Sequence, residues 1–259
     1  MSAVRQIVER LARGRVLRRR LPEPFSTAEI FVTPDAALRY LRRGRKAFPE
    51  DLLAIAEELI TPGMKVWDIG ANVGVFGFAA AARAGSSGRI LCVEPDTWLV
   101  QLLRRSGRSQ SGDVAPVEAL PAAVGAEPHV AEFLIAARGR ASNALASAGG
   151  RSQMGGVRER HLVPVVTTDH LLARFAPPDV VKIDVEGGEV DVLRGSATLL
   201  REHRPLIYIE VGEDQQQEIT SLLRDASYAL FDPTQPKSER KALDACCFNT
   251  LAIPSERAG

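Results

Sequence analysis

The sequence predicts an α/β fold, a mostly parallel sheet with helices on both faces, and three observations point to it. Between Lys65 and Leu120, short apolar runs alternate with segments of helical spacing, in the order strand, helix, strand, helix, strand. A second alternation runs from Asp179 to Arg224. Two glycines, Gly70 and Gly74, close the first strand just before a helix, where open α/β sheets carry their ligands.

Residues 1–48 read as a basic N-terminal extension. Arg5, Arg10, Arg13, Arg15, Arg18, Arg19 and Arg20 face one acid, Glu9, and Pro22, Pro24 and Pro34 interrupt the segment. Ile7, Val8, Leu11, Val16 and Leu17 give it some amphipathic character. That suits a membrane-surface helix or a transit peptide, and more plainly a solvated helical extension. The main domain is expected over residues 49–259. Pro49 precedes a helix with Leu52, Leu53, Ala56, Leu59 and Ile60 on one face, stopped at Thr61-Pro62-Gly63. Then come a strand at Lys65–Ile69, a helix at Val73–Arg83, a turn at Gly85–Gly88, a strand at Arg89–Val93, a helix at Thr97–Arg105 and a third strand at Val114–Leu120.

Val130–Ile135 reads as an additional, antiparallel strand. Residues 138–160, rich in Gly, Ser and Ala, are too long for an ordinary connection and predict a flexible loop or lid. His161–Val166 is a strand and Asp169–Arg174 a short helix. Asp179–Asp184 is a buried strand, Gly188–Arg201 a helix, Pro205–Val211 a strand and Gln215–Arg224 a helix. Tyr228–Phe231 and Asn249–Ile253 are strands that close the sheet as an antiparallel hairpin.

Hydrophobic residues make up 45% and charged ones 25%, with a net charge of +1, so the whole chain gives no electrostatic case for nucleic acid. The Arg42-Arg43-Arg45-Lys46 run reads as a solvated basic face; aromatic content is 5% and no base-flipping signature is present. Cys92, Cys246 and Cys247 form no C-x-x-C pair, so neither a disulfide framework nor a zinc knuckle is expected, and a reducing cytoplasm fits. No apolar run matches a bilayer, and no secretory signal is apparent. The Ala, Arg and Gly content suggests a bacterial source.

The chemistry is read from the glycine turn. Asp68 stands two residues before Gly70, and the spacing Gly70-Ala71-Asn72-Val73-Gly74 is not the G-x-G-x-x-G of dinucleotide sites. A carboxylate there would repel a pyrophosphate and suit a ligand carrying an ammonium or sulfonium, as S-adenosylmethionine does. Glu94 ends the second strand, 26 positions after Asp68, where an acid accepts hydrogen bonds from ribose hydroxyls. An NAD-dependent oxidoreductase is the rival within the same fold class, and a nucleic-acid methyltransferase, with Arg42, Arg43, Arg45 and Lys46 as phosphate contacts, is a further alternative.

Further along, Lys182-Ile183-Asp184-Val185-Glu186-Gly187-Gly188-Glu189 leads into Val190-Asp191-Val192-Leu193-Arg194-Gly195. Together with D-I-G-A-N-x-G and V-E-P, this resembles the FkbM family of methyltransferases over roughly residues 49–253. The resemblance implies a class I methyltransferase fold, Rossmann-like, with a seven-stranded sheet whose last strand is inserted antiparallel. It implies S-adenosylmethionine as cofactor and O-methylation of a hydroxyl on a small molecule, natural product, sugar or glycan. By position, Asp68, Gly70, Ala71, Asn72 and Gly74 would line the methionine part, Glu94 the ribose, and Leu120 and Ala123 the adenine. The serine-rich stretch of many relatives corresponds here to Ser142-Asn143.

A hydroxyl is a poor nucleophile, and a general base is worth roughly 10²–10⁴-fold. Asp184, Glu186 and Glu210 lie at the carboxyl ends of neighbouring strands. Asp184 and Glu186 share one side if the strand stays extended. One of the three is expected to accept the substrate proton, or the cluster to orient the substrate hydroxyl; Asp184 equally suits helix capping or the cofactor's amino group. His170, beside Asp169, is a weaker candidate base, and no metal-ligand set is apparent.

Overall fold

Helices flank a mixed sheet whose central strands are buried on both faces. The structure, a computed structural model, describes residues 12–137, 140, 143–147 and 156–258. In chain order they form β1 (Leu17–Arg20), β2 (Glu29–Val32), α1 (Glu50–Leu59), β3 (Lys65–Ile69), α2 (Val75–Ala84), β4 (Arg89–Val93), α3 (Thr97–Ser109), β5 (Val117–Leu120), β6 (Ala123–Val124) and β7 (His129–Ala136). There follow β8 (Ala144–Leu145), β9 (Val157–Val166), α4 (Thr168–Leu172), β10 (Val180–Ile183), α5 (Glu189–Arg194), β11 (Leu206–Glu210), α6 (Gln216–Asp225), β12 (Tyr228–Phe231), β13 (Ala242–Leu243) and β14 (Asn249–Pro254).

The main sheet runs β13-β12-β14-β11-β10-β3-β4-β5. Strands β5, β4, β3, β10 and β11 are parallel, and β14 enters antiparallel between β11 and β12. The expected antiparallel closing pair is therefore present, but the sheet has eight strands rather than seven. The addition is β13, a two-residue strand that pairs Leu243 with Leu230 at the edge. All four residues of β10 are buried, as are Val66, Trp67, Asp68 and Ile69 of β3. Both faces are covered, which is why these strands read as continuous apolar runs rather than alternating ones.

Strands β7 and β9 pair antiparallel along most of their length and belong to a separate four-stranded sheet, β6-β9-β7-β8. The expected loop over 138–160 is shortened by this sheet, since Ala144–Leu145 pairs with β7 and β9 already begins at Val157. Residues 138–139, 141–142 and 148–155 of that loop, like Arg5 and Arg10 at the N-terminus, lie outside the described residues.

Two expectations are corrected. Where the sequence predicts a solvated helical extension, residues 17–32 form the β1–β2 hairpin. Phe25, Ile30, Val32 and Ala47 are fully buried in the same core as α1, α2 and α3. The Phe31 amide donates to Ser106 Oγ at 2.8 Å, and the Arg105 guanidinium lies 3.9 Å over the Phe31 ring. The core thus runs across position 48 without a break. The helix expected over Gly188–Arg201 is likewise split. It ends at Gly195, whose carbonyl accepts from Thr168 Oγ1 at 2.9 Å, and the Asp169 carboxylate takes the amides of Thr198 and Leu199 to start a new turn. Short polar side chains compete for backbone groups here, and a periodicity argument does not register them.

Candidate active site

The turn after β3 is built by close approach. Gly70 has φ +77°, and a Cβ there would stand 1.8 Å from the Asp184 carbonyl oxygen, so only glycine lets the ends of β3 and β10 meet. The Gly70 and Ala71 amides both donate to the Val93 carbonyl, at 2.9 and 3.1 Å, which pins the turn on β4. Asn72 takes a left-handed backbone, φ 53°, and its Oδ1 accepts from the Val73 amide. Gly74, φ +85°, is the residue before α2. A Cβ on it would strike Leu103 and Phe78, so its role lies in packing the helix.

Asp68 is fully buried. Its Oδ2 accepts from the Gly77 amide, in the first turn of α2, at 3.0 Å, and its Oδ1 lies 3.3 Å from Lys182 Nζ. Burial raises its pKa and Lys182 draws it back. A helix N-terminus is a ready anion site because its first amides have no partner within the helix. Here the protein's own carboxylate holds one of those amides.

Glu94 follows β4 and is buried. Its Oε2 accepts from the Asn72 amide at 2.8 Å and its Oε1 from the Asp96 amide at 2.9 Å. Burial pushes its carboxyl up to about 7. Asp96 caps α3 by accepting from the Trp98 amide, and its other oxygen is held by Arg140 and, at 3.0 Å, by Asn143 Nδ2. Arg140 also reaches Asp35 Oδ2 at 2.9 Å, and Asp35 is paired with Arg158 as well. Asp35, Arg140, Asp96, Glu94 and Asn72 thus form a continuous chain of hydrogen bonds.

The second acidic segment is a turn. Strand β10 ends at Ile183, and Glu186 has φ 57°, so Asp184 and Glu186 do not continue an extended strand. Glu189, fully buried, accepts from the Val185 and Gly187 amides and holds the turn together. A left-handed glutamate costs roughly 1–2 kcal/mol, and such strain concentrates at functional sites.

Two adjoining cavities open at the carboxyl ends of these strands. The first is lined by Gly70, Asn72, Val93, Glu94, Ala122–Val124, Phe133, Arg140, Asn143, Asp184 and Glu186, among others. The second is lined by Arg39, Tyr40, Asp51, Asp68, Ala71, Lys182, Tyr208, Glu210 and Asn249 with others, and again by Gly70, Asn72 and Asp184. Ala123 therefore lines the first cavity, and Leu120 lines neither. Asp184 faces both, Glu186 only the first and Glu210 only the second. His170 is exposed and lines neither. Among the described residues, no group of three or more His, Cys, Asp or Glu is placed to hold a metal ion.

Sequence reasoning missed several residues. Lys182 Nζ lies 2.7 Å from the Gly70 carbonyl oxygen and 3.3 Å from Asp184 Oδ2. A lysine inside an apolar strand, two positions before an acid, was a readable sign, because period two places both on one face. Arg140, Asp35, Tyr208 and Asn249 carried no such sign, since each is brought in from a distant part of the chain.

A family model described as the Methyltransferase FkbM domain matches residues 68–230. No curated protein matches the chain. Among solved structures, the chain is similar to the methyltransferase FkbM from Methylobacillus flagellatus KT at 15% identity and a TM-score of 0.47, covering 96% of this chain and 59% of that one. It is similar to a precorrin-6y C5,15-methyltransferase from Geobacter metallireducens GS-15 at 13% identity and a TM-score of 0.44, covering 78% and 86%. An S-adenosylmethionine-dependent O-methyltransferase from Thermotoga maritima matches at 14% and 0.43, covering 86% and 72%. Similarity at that level carries no argument about substrate. The family model spans more than half of the chain, including the glycine turn, Glu94, the Asp184–Glu189 segment and Glu210. The chain belongs to the FkbM methyltransferase family and is an S-adenosylmethionine-dependent methyltransferase.

Proposed function

We propose that the protein methylates a hydroxyl group on a small molecule or sugar, with the first cavity holding the cofactor and the second the acceptor. The observation that carries this reading is the shared wall: Gly70, Asn72 and Asp184 line both cavities. Group transfer between two bound molecules needs such a junction, and alignment across it supplies up to roughly 7–11 kcal/mol of the barrier.

The residues present fit S-adenosylmethionine. Val93, Ala122, Ala123, Val124 and Phe133 give an apolar slot for an adenine. Each Glu94 oxygen accepts one backbone amide, and a carboxylate offers about four lone-pair sites, so capacity remains for two ribose hydroxyls. Gly70, Asn72, Asp184 and Glu186 then surround the methionine end, while Asp68 and Ala71, expected there, line the second cavity instead. The Asp68 carboxylate on the Gly77 amide speaks against a pyrophosphate, and so against the NAD alternative. When bound, the cofactor supplies a methyl group already activated on a sulfonium.

The chain's own residues position and deprotonate. Asp184, at the junction, accepts the hydroxyl proton, with Lys182 Nζ 3.3 Å from its Oδ2. Glu210, on the acceptor side, orients the hydroxyl, while Glu186 faces the cofactor's ammonium. Ala36, Ala37, Arg39, Tyr40, Pro49, Asp51 and Leu52 line the acceptor cavity, so this segment shapes specificity.

The test is transfer of labelled methyl from S-adenosylmethionine to a panel of sugars and hydroxylated compounds, with the linkage read by mass spectrometry. Asp184→Asn should lower transfer about 10²–10⁴-fold while S-adenosylhomocysteine binding persists. Methyl appearing on nitrogen, or an Asp184→Asn variant at the wild-type rate, contradicts the reading.

A further inference from the structure

Charge is segregated along this chain. Residues 1–48 contain twelve of its 33 basic side chains and four of its 32 acidic ones, a net of +8, so the remainder of a chain of net +1 carries −7. The folded position of this basic segment gives the asymmetry a use. Ala36, Ala37, Arg39 and Tyr40 form one side of the second cavity, and Pro49, Asp51 and Leu52 another. The stretch that joins them, residues 41–46, is exposed at every position and contains Arg42, Arg43, Arg45 and Lys46. In sequence it lies between two segments of the cavity wall, residues 36–40 and 49–52.

Arg45 is paired with Glu50 at 3.1 Å. Among the described residues, Arg39, Arg42, Arg43 and Lys46 have no carboxylate partner. The inner wall has the opposite sign: Asp51, Asp68, Asp184 and Glu210 against Lys182. A cavity lined by carboxylates, with Arg39 in its wall and an exposed cationic loop joining two of its wall segments, orients what enters it. An anionic group is turned back from the wall and held at the rim, and a neutral hydroxyl goes in first. Guanidinium groups bind phosphate oxygens two at a time, so a cluster of them suits a group with more than one charged oxygen.

We propose that the acceptor carries a phosphate or diphosphate group, held at the cavity mouth by Arg39, Arg42, Arg43 and Lys46 while its hydroxyl reaches Asp184. This rests on reading the second cavity as the acceptor site. A small phosphorylated acceptor fits better than a nucleic acid strand. The cations gather in one short loop rather than along a track, and among the described residues Phe248 is the one large aromatic side chain left exposed for stacking.

The experiment titrates inorganic pyrophosphate into the full-length protein by calorimetry, with and without S-adenosylhomocysteine. The wild type is compared with the triple variant Arg42→Ala, Arg43→Ala, Lys46→Ala, whose three side chains are all exposed. Pyrophosphate should bind the wild type in both conditions and the variant at least about tenfold more weakly. S-adenosylhomocysteine should bind both proteins equally and should not be displaced. Absence of pyrophosphate binding to the wild type, or equal affinity in the variant, overturns the proposal. So does tight binding of single-stranded RNA that is lost in the variant while pyrophosphate fails to bind, which would assign the patch to nucleic acid. Failure of S-adenosylhomocysteine to bind is a separate result. It counts against the cofactor cavity, whereas the pyrophosphate measurement without it reads the rim alone.

Discussion

Lys182 Nζ stands 2.7 Å from the carbonyl oxygen of Gly70, so a buried ammonium on β10 fixes the turn that ends β3. Two carboxylates, Asp68 Oδ1 and Asp184 Oδ2, lie 3.3 Å from the same nitrogen. Burial alone would lower the lysine's pKa, but Asp184 and Asp68 outweigh it and hold the ammonium charged. One side chain therefore joins the glycine turn to the candidate base.

Lys182→Met keeps the volume and removes the charge, leaving two carboxylates close together without their cation. Breaking a buried pair in this way costs about 3–5 kcal/mol. Urea denaturation should show a loss of that size, and adding Asp68→Asn to the same chain should recover part of it. Unchanged stability would mean that Lys182 is dispensable to the site.

Gly70→Ala places a Cβ 1.8 Å from the Asp184 carbonyl oxygen at a left-handed position. The ends of β3 and β10 must separate, at a cost of at least about 2 kcal/mol. Calorimetry should show S-adenosylhomocysteine binding lost together with a lowered Tm. Wild-type affinity would show that the turn tolerates a side chain.

Glu94 gives a pH signature with two opposite signs. Its carboxyl is pushed by burial to about 7, from the ordinary 4.5, so between those values the folded chain holds a proton that the unfolded chain releases. Stability of the ligand-free protein should therefore fall as pH rises through that window, by about 3 kcal/mol in all. Ribose hydroxyls donate to the ionised form, so affinity for S-adenosylhomocysteine should rise over the same range. In Glu94→Gln both slopes should flatten. Parallel pH slopes in wild type and variant would remove Glu94 from both effects.

Much of this was legible in the sequence because it is local. Strands β3, β4, β10 and β11 are largely apolar runs. The glycine turn and the Asp184–Glu189 segment are each contiguous, so their spacing survives folding. The illegible parts are those in which distant residues meet. The N-terminal arginines hid a hairpin, because Phe25, Ile30 and Val32, bracketed by Pro24 and Pro34, are too few to display a period. Asp35 meets Arg140 and Arg158 across more than a hundred residues, a pairing that no spacing rule describes. Glu189 has the look of an ordinary helix-start acid, yet its carboxylate shapes the turn around Glu186.

Arg140 ties Asp35 to Asp96, so Arg140→Ala leaves both carboxylates short of a partner. The side chain is about one-tenth exposed, which puts the loss at roughly 1–3 kcal/mol. Asp96 caps α3 and its amide holds Glu94, so affinity for S-adenosylhomocysteine should drop as well. Hydrogen exchange should report faster opening at β2 and at the start of α3. An effect confined to residues 138–147 would show that Arg140 only tethers its own loop.

The central claim is that the cofactor lies in the cavity between the glycine turn and Glu94, with its reactive end at the wall formed by Gly70, Asn72 and Asp184. A crystal structure with S-adenosylhomocysteine bound tests it most directly. The account predicts both ribose hydroxyls within hydrogen-bond distance of the Glu94 carboxylate, the adenine against Ala123 and Phe133, and the sulfur facing Asp184. A ribose placed away from Glu94, or a sulfur pointing away from the second cavity, would contradict it.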